Sequence, residues 1–188
     1  MLRVLLACAL AGGACAATAD EGTGFWLGGD IGISSLHRSF SVTGSTRDTE
    51  FAMALRGGYA WHPRLLLGVE LGGWMLEASD YNDDPTQGVG IRTLYAIAQY
   101  HFGPEARLFA KAGLGSVKYW NNHPDENGAS GIGGVLGAGY EVWRSGAWSV
   151  SPVIDYSWGE LDGVTSPPGV SQDLRYRAWA LRLAVTWR

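Results

Sequence analysis

The sequence predicts an all-β fold, an eight-stranded antiparallel up-and-down β-barrel. Three observations carry that expectation. Apolar residues alternate with small or polar ones over eight separate stretches, the mark of strands with two unlike faces. The connections between the stretches are short and long in turn. The 188 residues include 28 Gly and 9 Trp, and glycine disfavours helices while aromatic residues favour strands.

The stretches are justified in order. In residues 25–34, Phe25, Leu27, Ile31 and Ile33 share one face, with Trp26, Gly28, Asp30, Gly32 and Ser34 opposite. Residues 50–61 set Phe51, Met53, Leu55, Tyr59 and Trp61 against Glu50, Ala52, Ala54, Arg56 and Gly58. Residues 65–76 set Leu65, Leu67, Val69, Leu71 and Met75 against Gly68, Glu70 and Gly72. Trp74 falls on the polar side, which suggests a bulge near Gly72 and Gly73. Residues 89–102 are the least regular. Ala98, Tyr100 and Phe102 oppose Gln99 and His101, and the same phase puts Arg92 on the apolar face, which a slip in mid-strand would correct.

Residues 108–119 place Lys111, Gly113 and Gly115 on the polar face. Residues 131–142 oppose Leu136, Ala138, Tyr140 and Val142 to Gly137, Gly139 and Glu141. Residues 148–159 oppose Val150, Ile154, Tyr156 and Trp158 to Ser149, Ser151, Asp155 and Ser157. Residues 175–187 oppose Trp179, Leu181, Leu183, Val185 and Trp187 to Ala178, Ala180, Arg182, Ala184 and Thr186. The short connections are 62–64, 103–107 and 143–147. The long polar ones, expected as loops, are 36–48, 77–88, 120–130 and 160–174. No linker marks a second domain.

The N-terminus reads as a secretory signal over residues 1–19, leaving residues 20–188 as the barrel domain. Arg3 is followed by an apolar run over 4–10 and by two small-x-small patterns, Ala14-Cys15-Ala16 and Ala17-Thr18-Ala19. Cleavage after Ala19 is favoured, with Ala16 as the alternative. Both cysteines, Cys8 and Cys15, lie inside this segment, so no disulfide is expected. A lipidated Cys15 is disfavoured by Gly12, where such signals usually carry Leu. After the signal no apolar run approaches the ~18 residues of a membrane-spanning helix. Net charge is -4 and the basic residues are scattered, against a nucleic-acid partner.

The two faces decide between a periplasmic and a membrane barrel. If the chain starts in the periplasm, the apolar-face residues nearest the short turns are Phe25, Tyr59, Trp61, Tyr100, Phe102, Tyr140, Trp148 and Trp187. Those nearest the long connections include Phe51, Met75, Tyr156, Trp158 and Trp179. These are two aromatic girdles, and Tyr and Trp prefer membrane interfaces because apolar rings carry groups that seek water. Between them the same face is aliphatic. The other face, mainly Gly, Ala and Ser, suits the narrow interior of an eight-stranded barrel. A soluble ligand-binding barrel would reverse the faces. The expectation is a transmembrane β-barrel.

Four charges on the small face, Asp30, Arg56, Glu70 and Arg182, each lie about five residues from the short-turn end, near mid-membrane at about 3.3 Å per residue. Around the ring they read Arg182, Asp30, Arg56, Glu70, alternating in sign. A lumenal ion-pair network is expected, because an unpaired charge there would cost more than a paired one.

With these residues in hand the chain resembles the small outer-membrane β-barrel family of the OmpA and OmpX type, with its opacity-like porin barrels. The resemblance covers the mature chain. It rests on the opening strand Gly24-Phe-Trp-Leu-Gly-Gly29, on Leu136-Gly-Ala-Gly-Tyr-Glu141, and on the aromatic-ended Leu183-Ala-Val-Thr-Trp187. That ending is similar to the signal read by the barrel-assembly machinery, although Arg188 follows it. The resemblance implies a bacterial outer-membrane location reached by the Sec route, outer-membrane lipid and lipopolysaccharide as surroundings, a monomer, and no cofactor. The family spans structural barrels, adhesins, immune-evasion proteins, narrow pores and lipid A-modifying enzymes. The leading expectation is a non-enzymatic barrel acting through long extracellular loops, with a narrow pore as the alternative.

Chemical motifs are weak. His37 and Ser39 with Glu50 offer the parts of a hydrolase triad of the lipid A deacylase kind, but they fall early in the chain, in an expected loop. Asp80, Asn82 and Asp84 have the spacing that opens a calcium loop, with Pro85 and Ile91 at the wrong positions. His123, Asp125 and Glu126 offer at most a weak metal site. No catalytic or metal site is expected. The glycine run from 131 to 139 lacks the strand-turn-helix setting of a nucleotide site.

Overall fold

The computed structural model describes residues 23–42, 44–76, 89–103, 105–121, 129–166 and 170–188. Within them the chain forms strands β1 (Gly24–Phe40), β2 (Gly44–His62), β3 (Leu65–Leu76), β4 (Val89–Phe102), β5 (Leu108–Asn121), β6 (Ser130–Tyr140), β7 (Trp143–Ser145), β8 (Trp148–Ser166) and β9 (Val170–Trp187). Consecutive long strands pair antiparallel, β1 pairs with β9 and β6 with β8, so the sheet closes on itself. The three-residue β7 only lines the turn before β8. The described residues thus form a closed barrel of eight long strands with no edge to protect. Among them no helix is long and apolar enough to cross a membrane. Residues 1–19, Asp80, Asn82, Asp84, His123, Asp125 and Glu126 lie outside the described residues.

Alternation sets the two surfaces. Phe25, Leu27, Ile31 and Ile33 of β1 point outward, while Trp26, Asp30, Ser34 and Leu36 are buried. The same parity runs through the other long strands, so the broad apolar surface lies outside the barrel. An exposed apolar patch of this extent belongs against lipid.

The structure corrects several expectations. Within 36–48 and 160–174 most of the described residues are strand rather than loop. β1 and β2 pair as far as Phe40 and Gly44, and β8 and β9 as far as Ser166 and Val170. A strand needs only about 9–11 residues to cross a membrane, so both hairpins project well beyond it. Polar side chains do not stop pairing here, because β9 also bonds to β1 out to Leu174 and Phe40. The expected bulge at Gly72 and Gly73 is absent, and β3 stays in register with β2 and β4 there. Register shifts fall instead at Ala60 and His62, beside the tight 62–64 turn, and between Leu161 and Val164 in the β8–β9 hairpin. Trp74 simply points inward, 3% exposed, with its ring 5.5 Å from that of Tyr176. β4 shows no phase slip either. Arg92 stays on the outer face, its guanidinium stacked 4.7 Å over the Trp120 ring.

The interior is not uniformly small. Tyr95, Phe109 and Tyr176 are buried in it with Trp26 and Trp74. Glycines on neighbouring strands make the room. A Cβ on Gly139 would collide with the Phe109 ring, and one on Gly159 with the Tyr176 ring. Large and small positions therefore interdigitate across strands, as close-packed interiors require.

Candidate functional site

The lumen is layered. At the short-turn end His101 is fully buried. Its Nδ1 lies 2.8 Å from the Ala106 carbonyl, to which it donates, and its Nε2 accepts from the Gln99 amide at 2.9 Å. These tautomers follow from the carbonyl, which can only accept. Nearby, the Glu141 carboxylate receives Arg188 at 2.8 Å and also pairs with Arg144. Arg188, the residue after the terminal aromatic, is thus tied to the end of β6. At the far end Leu36, Trp74, Ile91, Val117, Leu161 and Leu174 form an apolar layer.

Between these lies the charge cluster. Arg182 sits 3.1 Å from Asp30, 3.5 Å from Asp155 and 4.0 Å from Glu70. Lys111 sits 2.6 Å from Glu70 and 3.3 Å from Asp155. Arg56 approaches Asp30 at 3.8 Å. Three carboxylates and three cations make the group formally neutral. Each of the six residues is between 1% and 5% exposed. The Arg182–Glu70 link runs from β9 to β3 through the lumen, because the two strands are separated by β1 and β2 in the ring. Gly137 is in register with both Lys111 and Asp155. Its missing side chain leaves the path by which they meet, since a Cβ there would strike the Asp155 carboxylate.

Of the four charges singled out in the sequence, Asp30 and Arg182 pair directly. Arg56 and Glu70 are register partners, yet Arg56 turns to Asp30 and Glu70 to Lys111. Lys111 and Asp155 were missed. Both carry the polar-face parity, but they lie about three and seven residues from their short-turn ends rather than five. Above the cluster the Tyr95 and Tyr176 hydroxyls share a hydrogen bond of 2.8 Å.

On the outside, Phe25, Tyr59, Trp61, Tyr100, Phe102, Tyr140 and Trp148 are exposed toward the short-turn end, and Trp187 is half-buried there. Trp158 and Trp179 lie toward the other end, both in contact with Tyr156. The hydrolase parts do not assemble. His37 and Ser39 lie on β1 with outward parity, Glu50 points into the barrel, and Glu50 is opposite Ser34 rather than His37. Among the described residues no three metal-ligating side chains cluster.

The family model for the outer membrane protein beta-barrel domain matches residues 4–187. No curated protein matches. Among solved structures the chain is similar to Neisserial surface protein A, at 17% identity and a TM-score of 0.56, covering 89% of this chain and 99% of that one. It is similar to the attachment invasion locus protein Ail of Yersinia pestis in its complex with sucrose octasulfate, at 10% identity and a TM-score of 0.50, covering 87% and 99%. It is also similar to the outer membrane protein AlkL, at 13% identity and a TM-score of 0.50, covering 90% and 92%. These likenesses concern the fold.

Proposed function

The chain belongs to the outer membrane protein β-barrel domain family, and from that premise we propose that it is a non-conducting barrel of the bacterial outer membrane. Its task lies on its surface, in the two tall hairpins β1–β2 and β8–β9 and the connections around them. On this reading residues 1–19 direct export by the Sec route, the barrel-assembly machinery reads the strand ending at Trp187, and the mature chain is a monomer. One observation carries the proposal. The six charged side chains interlock across the lumen and leave almost no accessible surface, and beyond the Tyr95–Tyr176 pair above them lies an apolar layer. Ions crossing a membrane need a continuous polar path, and a charge pair buried in this way offers none without being broken.

The test is planar-bilayer recording of the refolded barrel. Zero steady current is the expected result. Reproducible conductance steps from the wild-type chain would replace this reading with the narrow pore. Hydrolysis of lipid A has no assembled catalytic group behind it, since His37 and Glu50 occupy opposite faces of the wall.

A further inference from the structure

Within the lumenal cluster the charge of Arg56 is poorly met. Its nearest carboxylate oxygen is on Asp30 at 3.8 Å, and Asp30 is already held by Arg182 at 3.1 Å. Among the described residues no other carboxylate lies within ion-pair distance of Arg56. Its side chain is 1% exposed, and neither Nε nor Nη1 has an acceptor in the protein. Buried donors without an acceptor are costly and rare in native interiors, and more so when charged.

The register shows what this guanidinium faces. Ser149, Thr186, Gly28 and Arg56 are successive partners on β8, β9, β1 and β2, so they form one row around the lumen wall. All four have inward parity and are buried. Arg56 leans along the row, over Gly28. Thr186 Oγ1 comes within 3.1 Å and Arg56 Nε within 3.2 Å of the point that a Gly28 Cβ would occupy, with the Val185 carbonyl of the wall at 3.1 Å. The missing side chain of Gly28 thus keeps a gap between a guanidinium and a hydroxyl. The Ser149 hydroxyl, next in the row, also has no partner. On the other side of Arg56 the row continues to Glu70, which Lys111 holds at 2.6 Å.

We propose that this row holds one small monovalent anion, a halide such as chloride, enclosed in the barrel. The ion lies inward of Gly28 and accepts from Arg56 and from the Thr186 and Ser149 hydroxyls. The set is rich in donors, since a guanidinium only donates and each hydroxyl has a hydrogen to give. A water molecule in the gap would have to place two hydrogens of its own, whereas a halide has none. One guanidinium charge matches one negative charge, and Asp30 on the other side of Arg56 repels a divalent oxyanion more strongly. Phosphate and sulfate also need more room than one absent side chain leaves. The ion is a structural ligand that fixes Arg56 in place, independent of the hairpins that carry the surface role.

The experiment is urea unfolding of the refolded barrel in detergent at constant ionic strength, with chloride replaced stepwise by gluconate, an anion too large for the gap. Fixed ionic strength removes general screening. A ligand bound only by the folded chain adds stability with the logarithm of its concentration once its dissociation constant is passed. The wild-type midpoint should therefore rise by equal steps for each tenfold increase in chloride, and bromide should act alike. Arg56→Gln should abolish the rise, and Ser149→Ala should move it to higher chloride. Arg64→Gln, at an exposed cation in the 62–64 turn, should keep it. Heat-modifiable gel mobility shows that each variant is folded. Crystals of the barrel grown in bromide should show one anomalous peak beside Arg56. A wild-type midpoint indifferent to chloride would overturn the proposal and leave these donors to water. So would bromide confined to the outer surface. An unaltered chloride dependence in folded Arg56→Gln, or in Ser149→Ala where Arg56→Gln does not fold, would overturn it as well.

Discussion

Replacing Lys111 with Met isolates the charge cluster from the packing around it. The side chain is fully buried, its length is nearly kept, and only the ammonium is lost. Two carboxylates depend on that ammonium, Glu70 at 2.6 Å and Asp155 at 3.3 Å. Without it the cluster holds three acids and two bases, and Glu70 keeps only Arg182 at 4.0 Å. Breaking a buried pair from one side costs about 3–5 kcal/mol. With a urea slope of about 2 kcal/mol/M, the unfolding midpoint in detergent should fall by roughly 2 M. Arg56→Met is the internal comparison. Arg56 reaches Asp30 only at 3.8 Å, its Nε and Nη1 have no protein acceptor, and Asp30 keeps Arg182 at 3.1 Å. Its loss should cost about 1 kcal/mol. Adding Glu70→Gln to Lys111→Met returns the cluster to two acids and two bases, so the double variant should be more stable than Lys111→Met alone. An unchanged midpoint in Lys111→Met would refute the network. So would a double variant whose loss equals the sum of the two single losses, which is the behaviour of independent sites.

Two further changes probe how the interior is shaped. Gly137→Ala puts a methyl where the Asp155 carboxylate lies and should cost about 1–3 kcal/mol through overpacking, seen as a lower temperature of the mobility shift on gels. Trp74→Ala removes the indole that packs on Tyr176 and should cost about 3–5 kcal/mol, measured by the same urea titration, with the bilayer recording still silent because the charge layer beneath is untouched.

Much of the fold was legible because a strand's parity is a local property. Period-two alternation assigns each side chain to a face without knowing its neighbours, so Asp30, Arg56, Glu70 and Arg182 could be placed inside from the sequence. Depth is different. A count from each short turn assumes that every strand starts at one level. In a closed barrel the strands are tilted and staggered, so equal counts are not equal heights. Lys111 is three residues from Leu108 and Asp155 seven from Trp148, yet both are register partners of Gly137. No count along one strand contains that offset, and it fixes which cations meet which carboxylates.

Arg92 and Trp74 teach the complementary lesson. Each has the wrong polarity for its face, and alternation alone points to a backbone irregularity at each. In both cases the backbone is regular and a partner absorbs the mismatch: the Trp120 ring under Arg92, and the Tyr176 ring, with its space at Gly159, beside Trp74. A slip would have turned every later side chain of β4 to the other face, putting Tyr100 and Phe102 inside and His101 in lipid. One stacked guanidinium at the interface costs far less than that inversion. A lone mismatch near a strand end therefore marks an interfacial or lumenal partner before it marks a bulge.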